Sequence, residues 1–241
     1  DAGFRLSGWN NTLGGNGTTF DLQGRLINCE GEGRRVTREE ADGRVVVLAD
    51  RFEGKKLNRP NDVICRSDGT LLFTDPSLRV PPEERELGNA SVYRIAPDGG
   101  IDALCHFEYP NGLALSPDER TLYVANTRWT QYIHAVELDS AGNFVRRRIF
   151  ADMSADGDGK NGVPDGMKVD QAGRVFCTGT GGVWVYQPDG AFVGLIETPE
   201  VCANIAFGGP DLRTLLLTAS TSVYALRTRT PGMAHPWYAR R

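Results

Sequence analysis

The sequence predicts an all-β fold, a six-bladed β-propeller whose first blade is incomplete in this chain. Five segments share one pattern, in which an Asn or Asp precedes two short apolar alternations; they begin at Asn16, Asn61, Asn111, Asp165 and Asn204. Their starts lie 45, 50, 54 and 39 residues apart, a period typical of propeller blades. Because the innermost strands of such blades line a central channel, we expect these five side chains to converge there.

Each repeated segment is interpreted as the two inner strands of a blade, since alternating apolar residues on both sides of a turn predict an antiparallel pair. The segments are NGTTFDLQGRLINCE (16–30), NDVICRSDGTLLFTD (61–75), NGLALSPDERTLYVAN (111–126), DGMKVDQAGRVFCTG (165–179) and NIAFGGPDLRTLLLTAS (204–220). The stretches between them predict outer hairpins at 35–49, 92–104, 133–150 and 183–196. Turns such as Asp42-Gly43 and Asp189-Gly190 supply the positive φ that tight hairpins require.

Five repeats leave the ring incomplete. The opening segment 4–16 is too short for a partner blade, and the last predicted strand, 222–228, has an outer position without a neighbour. We therefore expect the chain to lack the start of a six-bladed ring. Residues 1–230 are predicted to form a single propeller domain, and 231–241 a C-terminal tail.

Composition fits a single globular domain and narrows the functional classes. The chain has 241 residues, a net charge of −4 and 40% hydrophobic residues, which suits one domain of this length. Basic residues are dispersed, with Arg146 to Arg148 as the only triple, so we predict no nucleic-acid partner. No stretch approaches the ~18 consecutive apolar residues of a membrane span, so we predict no membrane partner.

The five cysteines, at 29, 65, 105, 177 and 202, are odd in number and form no Cys-x-x-Cys pair. This pattern favours buried thiols over a disulfide framework or zinc ligands. Cellular location stays open, because buried thiols favour a reducing compartment whereas a chain that begins in mid-pattern is compatible with an exported precursor. The oligomeric state also stays open.

Two loops interrupt the repeat. Pro81-Pro82 and the charged residues after them predict a short helical turn within a long loop at 77–89, and such loops often cover active sites. The loop at 152–162 is superficially like a calcium loop. It places Lys160 where an acidic ligand belongs and Met167 at the closing Glu position, so we interpret it as a Gly-rich rim loop and not as an EF-hand.

Five ordered motifs carry a resemblance to a known family: NRPND (58–62), LFTDP (72–76), YPNGL (109–113), GVPDGM (162–167) and ANIAFGG (203–209). Over nearly the whole chain they resemble the SMP-30/gluconolactonase/luciferin-regenerating-enzyme-like family. The resemblance implies a six-bladed propeller that hydrolyses a small-molecule sugar lactone, such as glucono-1,5-lactone, with one divalent cation at the channel mouth. Ca²⁺ is the cation we expect first, with Mg²⁺, Mn²⁺ and Zn²⁺ as alternatives.

The resemblance also implies roles for particular residues. The metal ligands correspond to Asn111 and Asp165, and the substrate contacts to Arg59 and Asn61. A further family ligand, a Glu in an early Glu-Gly-Pro-like motif, is absent from this chain. Glu30 and Glu32 lie at the wrong end of their strand, so neither is assigned to replace it.

The chemistry of this residue set is consistent with hydrolysis. Hard cations prefer oxygen ligands, and a bound cation makes a lactone carbonyl more electrophilic. Asp165 is the predicted catalytic base, and the guanidinium of Arg59 would donate to the carbonyl oxygen or sugar hydroxyls. The remaining polar residues of the repeated segments are predicted to line the channel or support the ligands. They are Asn16, Asn204 and Asp75, the last as a backbone cap.

Two other functions are compatible with the same residues. The same metal would also serve a hydrolase of another ester or a phosphotriester, and a propeller whose cation is structural would be a non-catalytic binding scaffold. Only three histidines are present, at 106, 134 and 235, without a His-x-x-x-His pair, and no Gly-x-Ser-x-Gly elbow occurs. These absences disfavour zinc and serine hydrolases.

Overall fold

A computed structural model describes residues 14–154 and 162–238 of the chain. Within these ranges the regular structure consists of β-strands and one 3₁₀ turn at Pro82–Glu84. The described residues divide into two compact units, the first comprising 14–109 and 235–238, the second 110–154 and 162–234.

The first unit contains two four-stranded antiparallel sheets and a two-stranded ribbon. Its strands are β1 Gly15–Phe20, β2 Leu26–Glu30, β3 Arg35–Glu39, β4 Val45–Ala49, β5 Arg51–Phe52, β6 Lys55–Lys56, β7 Val63–Cys65, β8 Leu71–Asp75, β9 Ala90–Ile95 and β10 Ile101–Phe107. Strands β1 to β4 form one sheet and β7 to β10 the other, each in chain order, while β5 and β6 form the ribbon. Each sheet is therefore a meander of successive hairpins.

The second unit contains two four-stranded sheets and one three-stranded sheet. Its strands are β11 Pro110–Leu115, β12 Thr121–Asn126, β13 Tyr132–Leu138, β14 Phe144–Asp152, β15 Met167–Val169, β16 Val175–Gly179, β17 Gly182–Tyr186, β18 Phe192–Glu197, β19 Cys202–Gly208, β20 Thr214–Ala219 and β21 Val223–Arg227. The sheets are β11 to β14, β15 to β18 and β19 to β21, again in chain order.

Burial follows position within each sheet. Strands β8 and β16 are buried along their whole length, whereas the outer strands β14 and β18 are largely exposed. In the first unit Phe73 and Tyr93 stack with ring centroids 5.4 Å apart. In the second unit Ile133, Met153 and Met167 are all at most 1% exposed and belong to one core cluster. The apolar faces of successive meanders thus supply the core of each unit.

Local sequence signals predicted most of these strands. The predicted hairpin at 35–49 matches β3 and β4, whose apolar run VVVLA provides the β-branched residues that strands favour. The turn glycines Gly43 and Gly190 have φ of 83° and 97°, as a tight hairpin turn demands. The 3₁₀ turn at Pro82–Glu84 lies in the predicted loop at 77–89.

The sheet topology confirms the all-β propeller class, because each meander is a blade-type sheet. The described residues form five such sheets, whereas the sequence interpretation called for six blades. Strands β1 to β4 form the four-stranded sheet that the sequence predicted from 16–30 and 35–49. The incomplete blade was assigned to the chain before Asn16, of which residues 1–13 lie outside the described residues. The three-stranded sheet is β19 to β21, because the chain beyond β21 continues to Gly232, which bridges Asp170 and does not extend along β21.

The predicted tail makes contacts in each unit. Met233 donates its backbone N–H to the carbonyl of Val169 at 3.1 Å in the second unit. In the first unit the Trp237 ring lies 5.2 Å from that of Phe20. The division into a domain at 1–230 and a tail at 231–241 stays a prediction.

The remaining sequence predictions concern thiols, loops and membranes. All five cysteines are free, and the four at 29, 65, 177 and 202 are buried. Most of the loop interpreted as a Gly-rich rim, residues 155–161, lies outside the described residues. Among the residues that the structure describes, no helix has the length and apolar character of a membrane span.

Candidate functional site

The starts of the first two repeats lie against each other in the first unit. Gly17 donates its N–H to the carbonyl of Asn61 at 2.7 Å, and the Asn16 carboxamide donates to Asn61 Oδ1 at 3.2 Å. A Cβ added at Gly17 would lie 2.5 Å from Asp62 Cα, so only glycine permits this approach. The sequence prediction that Asn16 and Asn61 meet therefore has a direct geometric counterpart.

The segment that carries Arg59 and Asn61 is held by the end of β8. The Asp75 carboxylate accepts the backbone N–H groups of Asn58 at 2.8 Å and of Arg59 at 2.7 Å, one on each oxygen. Asn61 donates its N–H to the carbonyl of Thr74 at 2.8 Å. The backbone of residues 58–61 is therefore fixed by a single strand end, with Asp75 as its cap.

Burial gives the Asp75 carboxyl unusual electrostatics. Its residue is 0% exposed, and this desolvation raises the pKa of Asp75 from an ordinary 3.8 to about 7. The two N–H donors and the positive charge of Arg34 act in the opposite direction and lower that pKa. The carboxyl is thus hydrogen-bonded to the backbone, and its pKa lies near neutral pH.

The Arg59 side chain extends from this fixed backbone and is 31% exposed. Its Nη2 lies 3.9 Å from Oε1 of Glu32, whose side chain is 69% exposed. An exposed pair at this distance contributes little to stability. The guanidinium therefore keeps donors available for a ligand.

The two early glutamates, Glu30 and Glu32, differ in their surroundings. Glu30 is 0% exposed, and its two oxygens accept from Arg35 Nε at 2.6 Å and from Thr37 Oγ1 at 2.8 Å. Glu32 contacts Arg59 as described above. The Glu30 carboxylate is therefore occupied by local partners, whereas that of Glu32 is largely exposed and makes only the long ion pair with Arg59.

The predicted metal ligands lie together in the second unit. Asn111, on β11, is 6% exposed and donates its Nδ2 to Thr127 Oγ1 at 2.9 Å. Thr127 in turn donates its hydroxyl to the carbonyl of Pro164 at 2.6 Å. This chain of hydrogen bonds connects the Asn111 carboxamide to the residue immediately before Asp165 and fixes the orientation of the amide.

Two glycines bring the neighbouring backbones into contact. A Cβ added at Gly112 would collide with the carbonyl oxygen of Asp165, and one at Gly166 would collide with the Asn204 carboxamide. Asn204 Oδ1 accepts the N–H of Ile205 at 2.8 Å. Asp165 therefore lies between Asn111 and Asn204, as the repeat predicted for these three positions.

The oxygen donors fit a hard cation better than a soft one. Asn111 offers an amide oxygen, and the half-buried Asp165 offers a carboxylate; both are donors that Ca²⁺ and Mg²⁺ accept. Among the described residues no group of three or more His, Cys, Asp or Glu side chains is placed to hold a metal ion. Asn111 and Asp165 therefore offer the oxygen donors that a hard cation would accept.

Sequence reasoning missed Thr127 and Asn58. Thr127 links Asn111 to Pro164, and the buried Asn58 donates its Nδ2 to the carbonyl of Asn89 at 3.1 Å, which ties the 58–62 segment to the loop at 77–89. Thr127 could have been found from its position directly after β12, which is the end of the sheet where the repeat places its polar residues. Asn58 offered only its place in the NRPND motif.

Known proteins resemble this chain along most of its length. A family model described as the SMP-30/gluconolactonase/LRE-like region matches residues 8–221. Gluconolactonase of Zymomonas mobilis is 35% identical over 207 residues, which cover 82% of this chain and 56% of that protein. Pentonolactonase of Haloferax volcanii is 29% identical over 214 residues, which cover 85% of this chain and 66% of that protein.

A solved structure agrees with these relatives. The gluconolactonase of Xanthomonas campestris matches with a TM-score of 0.81 and 38% identity, over 91% of this chain and 73% of that one. The chain therefore spans just over half of the Zymomonas protein and just under two thirds of the Haloferax protein. Because the family model covers all five repeat starts, from Asn16 to Asn204, this chain belongs to the SMP-30/gluconolactonase/LRE-like family.

Proposed function

We propose that this protein hydrolyses a sugar lactone to the corresponding aldonic acid with the help of a divalent cation. The relatives named gluconolactonase and pentonolactonase support this substrate class. The observation that carries the proposal is the connection of Asn111 to the Asp165 segment through Thr127. It links the Asn111 carboxamide to the backbone of the residue before Asp165, and the family resemblance assigns Asn111 and Asp165 to metal ligands.

Asn111 and Asp165 are the residues that would hold the cation. Ca²⁺ is the first choice, and Mg²⁺, Mn²⁺ and Zn²⁺ are alternatives, because the donors are an amide oxygen and a carboxylate. When bound, such a cation makes a lactone carbonyl more electrophilic and lowers the pKa of nearby water. Six blades and a further glutamate ligand, both implied by the resemblance, stay predictions.

The Asp165 carboxylate acts as the general base in this proposal. It takes a proton from a water molecule while the water oxygen bonds to the lactone carbonyl carbon. Cleavage of the bond between this carbon and the ring oxygen then opens the ring, and the ring oxygen receives the proton and leaves as a hydroxyl. Asp165 is only half-buried, and its backbone N–H is held by the carbonyl of Thr178 at 3.3 Å.

The family resemblance assigns Arg59 and Asn61 to substrate contacts. A guanidinium presents several N–H donors to oxygen acceptors such as sugar hydroxyls or a lactone carbonyl. Asn61 holds a hydroxyl or a water molecule, with its carboxamide oriented by Asn16. Asp75 supports both residues through the backbone of Asn58 and Arg59, and Asn204 supports Asp165 through Gly166.

The direct test is lactone hydrolysis by chelator-treated protein, followed with a pH indicator after each cation is restored in turn. We expect Ca²⁺ to restore turnover of glucono-1,5-lactone above the uncatalysed rate. Asp165→Ala should lower kcat about 10³-fold or more, because it removes a metal ligand and the general base together. Asp189→Ala is the matched control, since Asp189 is an exposed carboxylate in a hairpin turn of the same unit.

The other outcomes separate the rival functions. Full activity in the chelated protein, or in the Asp165→Ala variant, would contradict the proposal. A cation that raises the melting temperature without any turnover would favour the non-catalytic binding scaffold. Turnover confined to another ester or to a phosphotriester would keep the metal site but reject the lactone.

A further inference from the structure

Trp129 lies in the loop between β12 and β13 and has an unusual backbone and an exposed ring. Its φ is 61°, a left-handed conformation that bulky side chains rarely adopt and that Gly or Asn adopts more readily. The residue is 73% exposed, so burial of the indole does not stabilise the fold. Neither the turn nor the core accounts for a tryptophan at this position, and strained residues of this kind cluster at functional sites.

The loop that presents Trp129 is held from below by a buried side chain. Asn126, which is 0% exposed at the end of β12, donates its Nδ2 to the carbonyl of Arg128 at 2.9 Å and to that of Thr130 at 2.7 Å. Thr130 also donates its N–H to the carbonyl of Arg128 at 2.8 Å. The carbonyls on both sides of Trp129 are therefore anchored, and the tight turn places the indole in solvent.

The same loop is attached to the candidate metal ligands. Thr127 lies two residues before Trp129, and its hydroxyl joins the Asn111 carboxamide to the carbonyl of Pro164. Two residues span at most about 7 Å of chain, so the Trp129 backbone lies within that distance of Thr127. The backbone of an exposed aromatic residue is thus tied to the segments that carry Asn111 and Asp165, within one compact unit.

We propose that Trp129 is a recognition residue for the sugar ring, on which the C–H face of a lactone stacks while its carbonyl is at Asn111 and Asp165. The inference rests on the proposed function. An indole has a broad apolar face and a polar N–H, which suits a ring that carries C–H groups on its faces and hydroxyls at its rim. Because the loop is already anchored, little conformational entropy is lost when the ring binds.

The test compares kcat and KM for glucono-1,5-lactone and for δ-valerolactone, which lacks hydroxyls, in Ca²⁺-supplied wild type and variants. Trp129→Asn removes the ring but accepts the left-handed backbone, and Trp129→Phe keeps an aromatic face. We expect Trp129→Asn to raise KM for gluconolactone about tenfold with kcat within about twofold, and to raise KM for valerolactone as well, because both rings carry C–H groups on their faces. Trp129→Phe should recover most of the lost affinity.

Phe144→Asn is the matched control, because Phe144 is another exposed aromatic residue of the same unit, on the outer strand β14. It should leave both KM values unchanged. An unchanged KM for gluconolactone in Trp129→Asn would overturn the inference while leaving the proposed function intact.

A binding measurement keeps the inference testable if the wild type turns over no lactone, which would be the failure of the proposed function itself. Saturation-transfer NMR with 1,5-anhydroglucitol, a cyclic polyol that cannot be hydrolysed, should give a signal with the wild type that Trp129→Asn loses and Trp129→Phe retains. Equal signals from wild type and Trp129→Asn, or no signal from the wild type, would overturn it.

Discussion

Asp75 in the first unit and Asp165 in the second are both carboxylates beside a strand, yet they differ in environment. Asp75 ends a strand that is buried along its length, and both its oxygens accept backbone N–H groups. Asp165 precedes a strand, is half-buried, and is held by its own backbone, which donates to Thr178 at 3.3 Å. The first carboxylate therefore stabilises a backbone, whereas the second is the one that we propose binds the cation and the substrate water. Burial, and not residue type, is the difference between the two.

Removing the buried carboxylate should have the largest effect on stability. Asp75→Ala should lower the free energy of unfolding by about 2–4 kcal/mol, because the N–H groups of Asn58 and Arg59 lose their acceptor inside the protein. Urea unfolding would measure the loss. A variant as stable as the wild type would mean that Asp75 does not hold the segment.

The close approach of the Asn111 and Asp165 backbones can be tested by adding one methyl group. Gly112→Ala should lower stability by about 1–3 kcal/mol, because its Cβ would meet the Asp165 carbonyl, and it should lower turnover by displacing the ligand. Gly194→Ala is the control, since it lies on β18 of the same unit with nothing within 4 Å of its added Cβ. Equal effects from the two variants would contradict the packing described.

A smaller effect on stability is expected from the ionisation of Asp75. Its pKa rises on folding from 3.8 to about 7, so between these values the folded chain retains a proton that the unfolded chain has lost. Stability from this group is therefore complete below about pH 4 and is lost as the pH rises towards 7, by at most about 1.4 kcal/mol per pH unit.

Unfolding free energies at several pH values, for wild type and Asp75→Asn, would measure this dependence. The difference between the two should shrink as the pH rises from 4 to 7, because only the wild type titrates at residue 75. A difference that stays constant across the range would show that Asp75 is ionised throughout.

Local signals predicted the strands well, because hairpin turns and apolar alternation depend on neighbouring residues. The hairpin at 35–49 and the turn at Gly43 are examples. Repetition of the Asn or Asp at each inner strand also predicted that Asn111 and Asp165 would meet. That inference worked because equivalent positions of successive repeats pack against each other through Gly112 and Gly166.

Tertiary contacts set the features that the sequence did not predict. The hydroxyl of Thr127 becomes a link between Asn111 and Pro164 only when two distant segments meet. The course of the chain after β21 depends on the bridge between Gly232 and Asp170. No local sequence pattern predicts this bridge. The left-handed backbone of Trp129 runs against its own residue preference, so propensity points away from it.

A paired determination of kcat for glucono-1,5-lactone and of unfolding free energy, in Ca²⁺-supplied Asp165→Asn and Asp75→Asn, distinguishes a hydrolytic carboxylate from a structural one. We expect Asp165→Asn to lose turnover at nearly wild-type stability, and Asp75→Asn to lose stability but keep most of its kcat under conditions where it is folded. Turnover that survives in Asp165→Asn would contradict the assignment of Asp165 as the carboxylate that performs the hydrolysis.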